Sequence, residues 1–325
     1  MAGESVDPVQ HVTRLAPSPT GALHLGNART FIVNWALARQ RGWRIIMRIE
    51  DLDSPRVKPW AMQQAIDDLR WLGMDWDGEV VTQLADLTPY TEATALLKRK
   101  RLVYACVCTR KEIEQAQSAP HGDEHELRYP GTCRDKGLSG ATTDTDFALR
   151  VRVPTEPVRF VDQVHGEQVV AVADQVGDFV IASKAGLPAY QLAVVVDDAR
   201  QGVTDVVRGD DLLRSTGRQL LLYDMLDLGP PPTYWHLPLV LGPDGRRLAK
   251  RHGDTRIAYY REQGVSAERI IGLLAKWTGI SDRNETMTIE TFRERFSIER
   301  MTREAVTFSE ADEAWLMHGS ASTQK

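Results

Sequence analysis

The sequence predicts an α/β fold built around a parallel sheet. Over the first hundred residues, apolar segments and amphipathic segments alternate in the order strand, helix, strand, helix. This alternation is typical of parallel strands joined by right-handed helical crossovers. The chain has 325 residues, of which 42% are hydrophobic and 26% charged, and this composition is ordinary for a globular protein of one or two domains.

The first half of the chain contains the clearest elements. We predict strands and helices at residues 10–16 (strand), about 26–42 (helix), 43–49 (strand), 59–72 (helix) and 91–102 (helix). Pro17, Pro19 and Gly21 break the first strand into a turn, and Gly42 is suited to end the first helix. The first turn therefore lies at the carboxyl end of a strand, which is the usual ligand crevice of an open α/β sheet.

The second half is less regular. Residues 106–146 resemble an inserted segment, and residues 147–153 and 157–173 predict antiparallel strands. The apolar run 192–196 predicts a central parallel strand, and 212–226 predicts a helix. Residues 235–241 predict another strand, and the chain is predicted to be helical from about 255, most clearly over 265–278.

Net charge limits the classes of partner. A net charge of −5 and a pI of about 5.9 argue against indiscriminate binding of nucleic acid, although a local basic face could still contact one RNA. The basic run at residues 98–101 is either such a face or a solvated helix end. We find no apolar run long enough to span a membrane and no signal peptide, and we expect a cytoplasmic protein.

All three cysteines, Cys106, Cys108 and Cys133, lie close together in the sequence. An odd number of cysteines in a cytoplasmic chain argues against disulfides and favours a metal site. Zinc takes four nitrogen or sulfur ligands, so the residues alone leave the fourth ligand open, with His121 and His125 as generic choices. The alternative is three reduced, buried cysteines.

Residues 14–27 combine a strand end, a turn and a helix start. A helix start offers backbone N–H groups and a positive dipole end to phosphate, and Gly26 allows close approach of a nucleotide. His24 can donate a hydrogen bond to a phosphoryl oxygen. The segment therefore predicts a nucleotide site.

The same segment resembles the HIGH motif of class I aminoacyl-tRNA synthetases, in the form typical of their glutamyl branch. The resemblance extends over roughly residues 10–255 and includes four further segments: 48–53, 72–78, 190–198 and 207–212. It implies a Rossmann-like catalytic domain over 1–255, with an insertion at about 105–185 that carries zinc at 106–133. A short helical region over 256–325 would follow, and no anticodon-binding domain.

Residues 247–251, Arg-Leu-Ala-Lys-Arg, are similar to the KMSKS loop of these enzymes. Arg247 keeps the usual charge, whereas Ala249 stands where the family more often has serine. The resemblance implies that His24, Gly26 and Lys250 are catalytic. It implies an ATP site made of His24, Gly26, Asn27, Arg247 and Lys250.

Glutamate has two carboxylates and one ammonium group, and arginine pairs with carboxylates in a bidentate geometry. The resemblance assigns the carboxylates to Arg14 and Arg208 and the ammonium group to Glu50. It adds Ala16, Ser18 and Tyr190 as further contacts. It also implies a structural Zn²⁺ bound by Cys106, Cys108, Tyr129 and Cys133, because zinc-bearing members show Cys-x-Cys followed by Tyr-x-x-x-Cys.

The implied activity is ATP- and Mg²⁺-dependent activation of L-glutamate. With so short a region after residue 255, the chain is similar to members that attach glutamate to queuosine in the anticodon loop of tRNA(Asp), and we expect a monomer. Three alternatives remain open. They are a truncated enzyme that charges tRNA(Glu), a nucleotidyltransferase with the same His-x-Gly helix start, and a catalytically silent RNA-binding paralogue.

Overall fold

A computed structural model describes residues 10–52, 56–115, 127–137, 147–248 and 253–319. The strands, in chain order, are β1 (Val12–Leu15), β2 (Arg44–Ile49), β3 (Val81–Thr82), β4 (Val103–Cys106), β5 (Ala148–Val151), β6 (Val158–Asp162), β7 (Gly166–Val170), β8 (Val180–Ala182), β9 (Asp205–Gly209), β10 (Thr233–Leu237), β11 (Val240–Leu241) and β12 (Val306–Thr307). The helices are α1 (Leu25–Arg41), α2 (Pro59–Trp71), α3 (Thr88–Arg99), α4 (Arg110–Gln115), α5 (Val172–Gln175), α6 (Tyr190–Arg200), α7 (Ser215–Met225), α8 (Ile257–Glu262), α9 (Ala267–Thr278), α10 (Ile289–Arg295) and α11 (Glu310–His318). Among the described helices, none has both the length and the apolar character needed to cross a bilayer.

The chain forms two compact units. The first comprises the described parts of Met1–Thr82, Val203–Asp211 and Tyr234–Lys325, and the second those of Gln83–Gly202 and Leu212–Thr233. The domain boundaries derived from the resemblance, 1–255 with an insertion at about 105–185 and a helical region over 256–325, stay predictions.

A parallel sheet lies in the first unit, as predicted. β2 pairs in parallel with both β1 and β3, and Arg14 of β1 lies opposite Ile46 of β2. β9 and β10 are hydrogen-bonded neighbours. The core around β1 and β2 is apolar, since Leu15, Ile45 and Met47 are fully buried.

Helix α1 is the central helix of this unit. It packs on β1, β2 and β9 and also on α9 and α10, which explains why most of its residues are buried. His24 caps its start. Gly42 ends it with a left-handed backbone (φ 67°), and this end was predicted from the sequence. An interior helix of this kind holds its first turn rigidly in place.

The strand pairs of the second unit are mainly antiparallel. β5 pairs antiparallel with β4 and β8, and β6 and β7 form an antiparallel hairpin, in agreement with the prediction for residues 147–173. The helix predicted at 212–226 is α7.

One sequence prediction is wrong. The run 192–196 is not a central strand but the middle of helix α6, in which every residue from Gln191 to Asp198 is buried. A helix buried on all sides reads as the same continuous apolar run as a central strand, so periodicity does not separate them. Strand β9 was not predicted from the sequence.

The C-terminal prediction of helices is confirmed by α8, α9, α10 and α11. Ser266 caps α9 and Gly279 ends it in a left-handed conformation (φ 84°). The short strand β12, which pairs in parallel with β11, was not predicted.

Candidate active site

The first turn of α1 is fixed by its own cap. The backbone N–H of Asn27 donates to His24 Nδ1 over 3.4 Å, and the backbone N–H of His24 donates to Asn27 Oδ1 over 3.3 Å. This capping box uses the side chain of a histidine, where serine or threonine is usual. Because Nδ1 accepts a hydrogen bond, the neutral ring carries its proton on Nε2.

The ring of His24 is neutral over the physiological range. Burial lowers the pKa of His24, and the positive charge of Arg247 lowers it further, to about 4. His24 also lines a cavity of about 430 Å³, together with Trp60, Asp254 and Arg256. A neutral imidazole with its proton on Nε2 can donate a hydrogen bond to an oxygen of a bound nucleotide without adding a charge.

Gly26 lies against the same ring. A Cβ atom added at Gly26 would stand 3.1 Å from both Cε1 and Nδ1 of His24 and 3.6 Å from Cβ of Val240. A contact of 3.1 Å is too close for the ring to stay where it is. Glycine at this position therefore accommodates the histidine as well as any ligand.

The chain returns to His24 after the predicted loop at 247–251. The backbone N–H of Leu25 donates to the Thr255 carbonyl oxygen (3.0 Å), and the N–H of Ile257 donates to the Leu23 carbonyl oxygen (3.0 Å). Ala249, Lys250, Arg251 and His252 lie outside the described residues, so the placement of Lys250 stays a prediction. The described residues that follow, Thr255 and Ile257, are bonded through their backbones to both neighbours of His24.

The N-terminal side of this loop is a tight hairpin. The backbone N–H of Leu248 donates to the Val240 carbonyl oxygen (2.9 Å), and the buried Leu248 side chain anchors that end. Arg247 forms an ion pair with Asp211, and the two side chains are 52% and 27% exposed. Asp211 was not predicted as a site residue, because the residues around it in the sequence do not indicate that it pairs with Arg247.

The two predicted glutamate-site arginines lie on strands β1 and β9, which contact each other in the first unit. Arg14 of β1 donates from Nη1 to the carbonyl oxygen of Val207 over 3.5 Å, and Val207 directly precedes Arg208 in β9. Both arginine side chains are buried. Asn34 of α1 holds the β1 backbone at this point by donating to the Arg14 carbonyl oxygen (2.9 Å).

Glu50 follows β2 on the same side. Its backbone N–H donates to the Pro17 carbonyl oxygen (3.1 Å), which ties it to the turn after β1. Its side chain is 10% exposed, and Oε1 lies 3.3 Å from Nη2 of the fully buried Arg48. The Glu50 carboxylate is thus held near the carboxyl ends of β1 and β2. Arg14 lies near the same end of β1.

The three remaining residues predicted to contact glutamate differ in their burial and in their place in the fold. Ala16 is half-buried and Ser18 exposed in the turn after β1, and Tyr190 begins α6 in the second unit, 39% exposed. Two further residues, Tyr234 and His236 of β10, contact Arg208 and were not predicted. A histidine within an apolar strand was the signal that could have identified His236.

The three cysteines of the second unit lie together. Their sulfur atoms are all within 4.8 Å of one another, and Cys108 Sγ lies 3.5 Å from Cys133 Sγ. The Tyr129 hydroxyl oxygen lies 3.3 Å from Cys106 Sγ and 3.8 Å from Cys108 Sγ. Tetrahedral zinc with Zn–S bonds of about 2.3 Å places its sulfurs about 3.8 Å apart. The three sulfur atoms are therefore spaced so that they could hold a metal ion, and the Tyr129 oxygen lies beside two of them. His121 and His125 lie outside the described residues.

Local hydrogen bonds make one of the thiols easy to ionise. Burial raises the pKa of Cys133, but the Val107 backbone and the Tyr129 hydroxyl outweigh it and lower the pKa to about 7. Burial raises the pKa of Cys108 to about 11. Zinc binds thiolates, so Cys133 is the ligand of this pair that is ready for metal at neutral pH.

Comparison with known proteins agrees with this geometry. A family model described as "tRNA synthetases class I (E and Q), catalytic domain" matches residues 10–315. The chain is 53% identical over 281 residues to a protein of Rhodopirellula baltica named glutamyl-Q tRNA(Asp) synthetase, which covers 83% of this chain and 85% of that protein. It is 44% identical over 325 residues to a protein of the same name from Symbiobacterium thermophilum. That similarity covers 95% of this chain and 99% of that protein.

A solved structure is also similar. The crystal structure of a glutamate tRNA ligase from Elizabethkingia meningosepticum, in complex with its amino acid, has a TM-score of 0.79 and 26% identity with this chain. The similarity covers 94% of this chain and 68% of that one.

Proposed function

This chain belongs to the family of class I tRNA synthetases for glutamate and glutamine, and from that premise we propose that it activates L-glutamate with ATP. We further propose that it transfers the glutamyl group to queuosine in the anticodon loop of tRNA(Asp). It is then an ATP-dependent ligase whose acceptor is a modified base of an RNA.

The observation that supports the proposal is that two buried arginines and one carboxylate lie on neighbouring segments of the first unit. Arg14 donates a hydrogen bond to the carbonyl oxygen of Val207, which directly precedes Arg208. The backbone N–H of Glu50 donates to the Pro17 carbonyl oxygen in the turn that follows β1. Two cations and one anion match the two carboxylates and one ammonium group of glutamate.

In the first step, the α-carboxylate of glutamate attacks the α-phosphorus of ATP, and pyrophosphate leaves. Transfer of this kind depends mainly on positioning and on stabilisation of charge. His24 donates from Nε2 to an α-phosphoryl oxygen, and the positive dipole end of α1 favours the negative charge of the phosphate. Arg247 and Lys250 bind the β- and γ-phosphates and stabilise the leaving pyrophosphate.

In the second step, a ring hydroxyl of queuosine attacks the activated acyl carbon and AMP leaves. Pro17 and Pro19 shape the turn beside the acyl site, and we assign no protein group as the base. Mg²⁺ that accompanies ATP would supply further neutralisation of the triphosphate charge. Cys106, Cys108, Cys133 and Tyr129 would hold Zn²⁺, which would stabilise the structure of the second unit.

The queuosine acceptor is supported by the relatives. Proteins named glutamyl-Q tRNA(Asp) synthetase are 53% and 44% identical to this chain, compared with 37% for a protein named glutamate–tRNA ligase and 26% for the glutamate tRNA ligase structure. The likeness to that ligase favours tRNA(Glu) as the second candidate acceptor.

Acylation assays with radiolabelled glutamate test the proposal. We expect tRNA(Asp) that carries queuosine to be acylated, and tRNA(Asp) without queuosine and tRNA(Glu) to remain unlabelled. Acylation of tRNA(Glu) alone would show that the second candidate is correct. Pyrophosphate exchange that does not depend on glutamate would instead point to a nucleotidyltransferase, and ATP binding with no turnover would point to a silent paralogue.

A further inference from the structure

Arg208 has a neighbour that orients it without cancelling its charge. Its Nε donates to Nε2 of His236 over 2.9 Å, and both side chains are buried, at 5% and 0% exposure. A ring nitrogen that accepts a hydrogen bond is unprotonated, so His236 is neutral here. A carboxylate in its place would also orient Arg208 but would compete with an anionic substrate for its charge.

Tyr234 supports the same guanidinium group from another direction. The Arg208 guanidinium carbon lies 5.2 Å from the centre of the Tyr234 ring, within cation–π range. The rings of Tyr234 and His236 are stacked, with centroids 6.0 Å apart and planes at 12°. Tyr234 is 3% exposed, so this support is desolvated and strong.

The alternation of the strand explains how one short segment provides both contacts. Tyr234 and His236 are two residues apart in β10 and therefore lie on the same face of the strand. Trp235 points to the opposite face, where its Nε1 donates to Asp205 Oδ1 over 3.2 Å. One face of β10 thus contacts Arg208, and the opposite face contacts Asp205.

We propose that His236, supported by Tyr234, is the positioning residue that sets how Arg208 receives a glutamate carboxylate. Because His236 engages Nε, the edge of the guanidinium formed by Nε and one Nη is closed to a bidentate carboxylate. This inference rests on the proposed function, since it describes how the substrate of that function is held.

Two substitutions at His236 separate positioning from packing. Glutamine can place its Oε1 near the position of Nε2 and accept from Arg208, whereas leucine has a similar volume and no acceptor. In glutamate-dependent pyrophosphate exchange, we expect His236→Leu to raise the KM for glutamate between about tenfold and about a hundredfold, which is the effect of misplacing a binding group by an ångström. The KM for ATP should change less than twofold, and His236→Gln should restore most of the glutamate affinity.

Trp235→Phe is the matched control, because it alters the adjacent residue on the opposite face of β10. We expect it to leave the KM for glutamate unchanged. Should His236→Leu fail to fold, Tyr234→Phe and Tyr234→Leu make the same comparison, because phenylalanine keeps the ring under Arg208 and leucine removes it. Only the leucine variant should then raise the KM for glutamate.

The outcomes are distinguishable. If the unsubstituted protein shows no glutamate-dependent exchange, the proposed function is wrong and the positioning role is wrong with it. If exchange occurs but His236→Leu has an unchanged KM for glutamate, or raises both KM values equally, only the positioning role is overturned. Failure of His236→Gln to recover glutamate affinity while its melting temperature matches that of the unsubstituted protein would overturn it as well.

Discussion

Gly26 and His24 are in contact across the first turn of α1, with only 3.1 Å between the place of a Gly26 Cβ and two atoms of the imidazole ring. The histidine that caps the helix can hold its orientation because the residue two positions later has no side chain. A side chain at position 26 would therefore displace the His24 ring by a few tenths of an ångström.

Gly26→Ala should lower the kcat of glutamate-dependent pyrophosphate exchange by one to two orders of magnitude, since a displaced donor costs about that much. The reason is rotation of the His24 ring away from its cap and from the α-phosphate. Steady-state exchange kinetics measure the effect.

The control is the same substitution in a His24→Ala background. With no ring to displace, Gly26→Ala should have little further effect, and the two changes should be strongly non-additive. Additive losses of log kcat would show that Gly26 acts independently of His24.

His24 should make stability depend on pH. Its folded-state pKa of about 4 is below the ordinary value of 6.5, so the unfolded chain binds the proton first as pH falls. The stability is complete above about pH 6.5 and is lost as pH falls toward 4. Between pH 7 and pH 5, the free energy of unfolding should fall by about 2 kcal/mol more in the unsubstituted protein than in His24→Gln.

Urea unfolding at the two pH values measures this difference, and NMR titration of the His24 ring measures the pKa directly. Removing Arg247 should raise the pKa of His24, because its positive charge is one of the two causes of the shift. A titration midpoint near 6.5 in the folded protein would contradict the buried setting of His24.

Asp211→Asn should raise the KM for ATP about three- to tenfold, on the order of the 1 kcal/mol that a partly exposed ion pair contributes. Asp211 fixes the guanidinium of Arg247, which in the proposed mechanism binds the outer phosphates. The KM for glutamate and the melting temperature should change little.

Asp244→Asn is the matched control for this prediction. Asp244 is in the same hairpin, where its Oδ1 accepts from the Arg246 backbone over 3.0 Å. We expect it to leave the KM for ATP close to that of the unsubstituted protein. Equal effects of the two substitutions would attribute the change to the hairpin as a whole.

Tyr129→Phe should weaken zinc binding without emptying the cysteine cluster. The substitution removes the oxygen that lies 3.3 Å from Cys106 Sγ and keeps the ring. Metal analysis of purified protein should find one zinc per chain in the unsubstituted form, and competition with a chromophoric chelator should show an affinity about ten- to a hundredfold lower in the variant, the range in which changes at a metal site usually fall.

Tyr104→Phe is the control, because Tyr104 belongs to the same buried cluster while its hydroxyl donates to Asp178 over 2.6 Å. Its zinc affinity should be unchanged. A zinc-free preparation of the unsubstituted protein that is stable would reject the metal site, and equal affinities of the two variants would reject Tyr129 as the fourth ligand.

Local rules account for what the sequence predicted well. The start and end of α1, the hairpin of β6 and β7 and the helix α9 follow from caps, turns and periodicity, each of which acts over a few residues. The motif segments could be placed at strand ends for the same reason. The spacing of the cysteines likewise predicted their proximity, which the structure shows.

The sequence by itself therefore determined the identity of the chemical groups and the local elements that carry them. Only the tertiary structure decided that residues 192–196 are helical, that Arg208 meets His236, and that the chain after the loop returns to His24. Each of these depends on contacts between residues that are far apart in the sequence, or on burial from all sides. Periodicity and propensity do not encode such contacts, because they describe only the relation of a residue to its near neighbours.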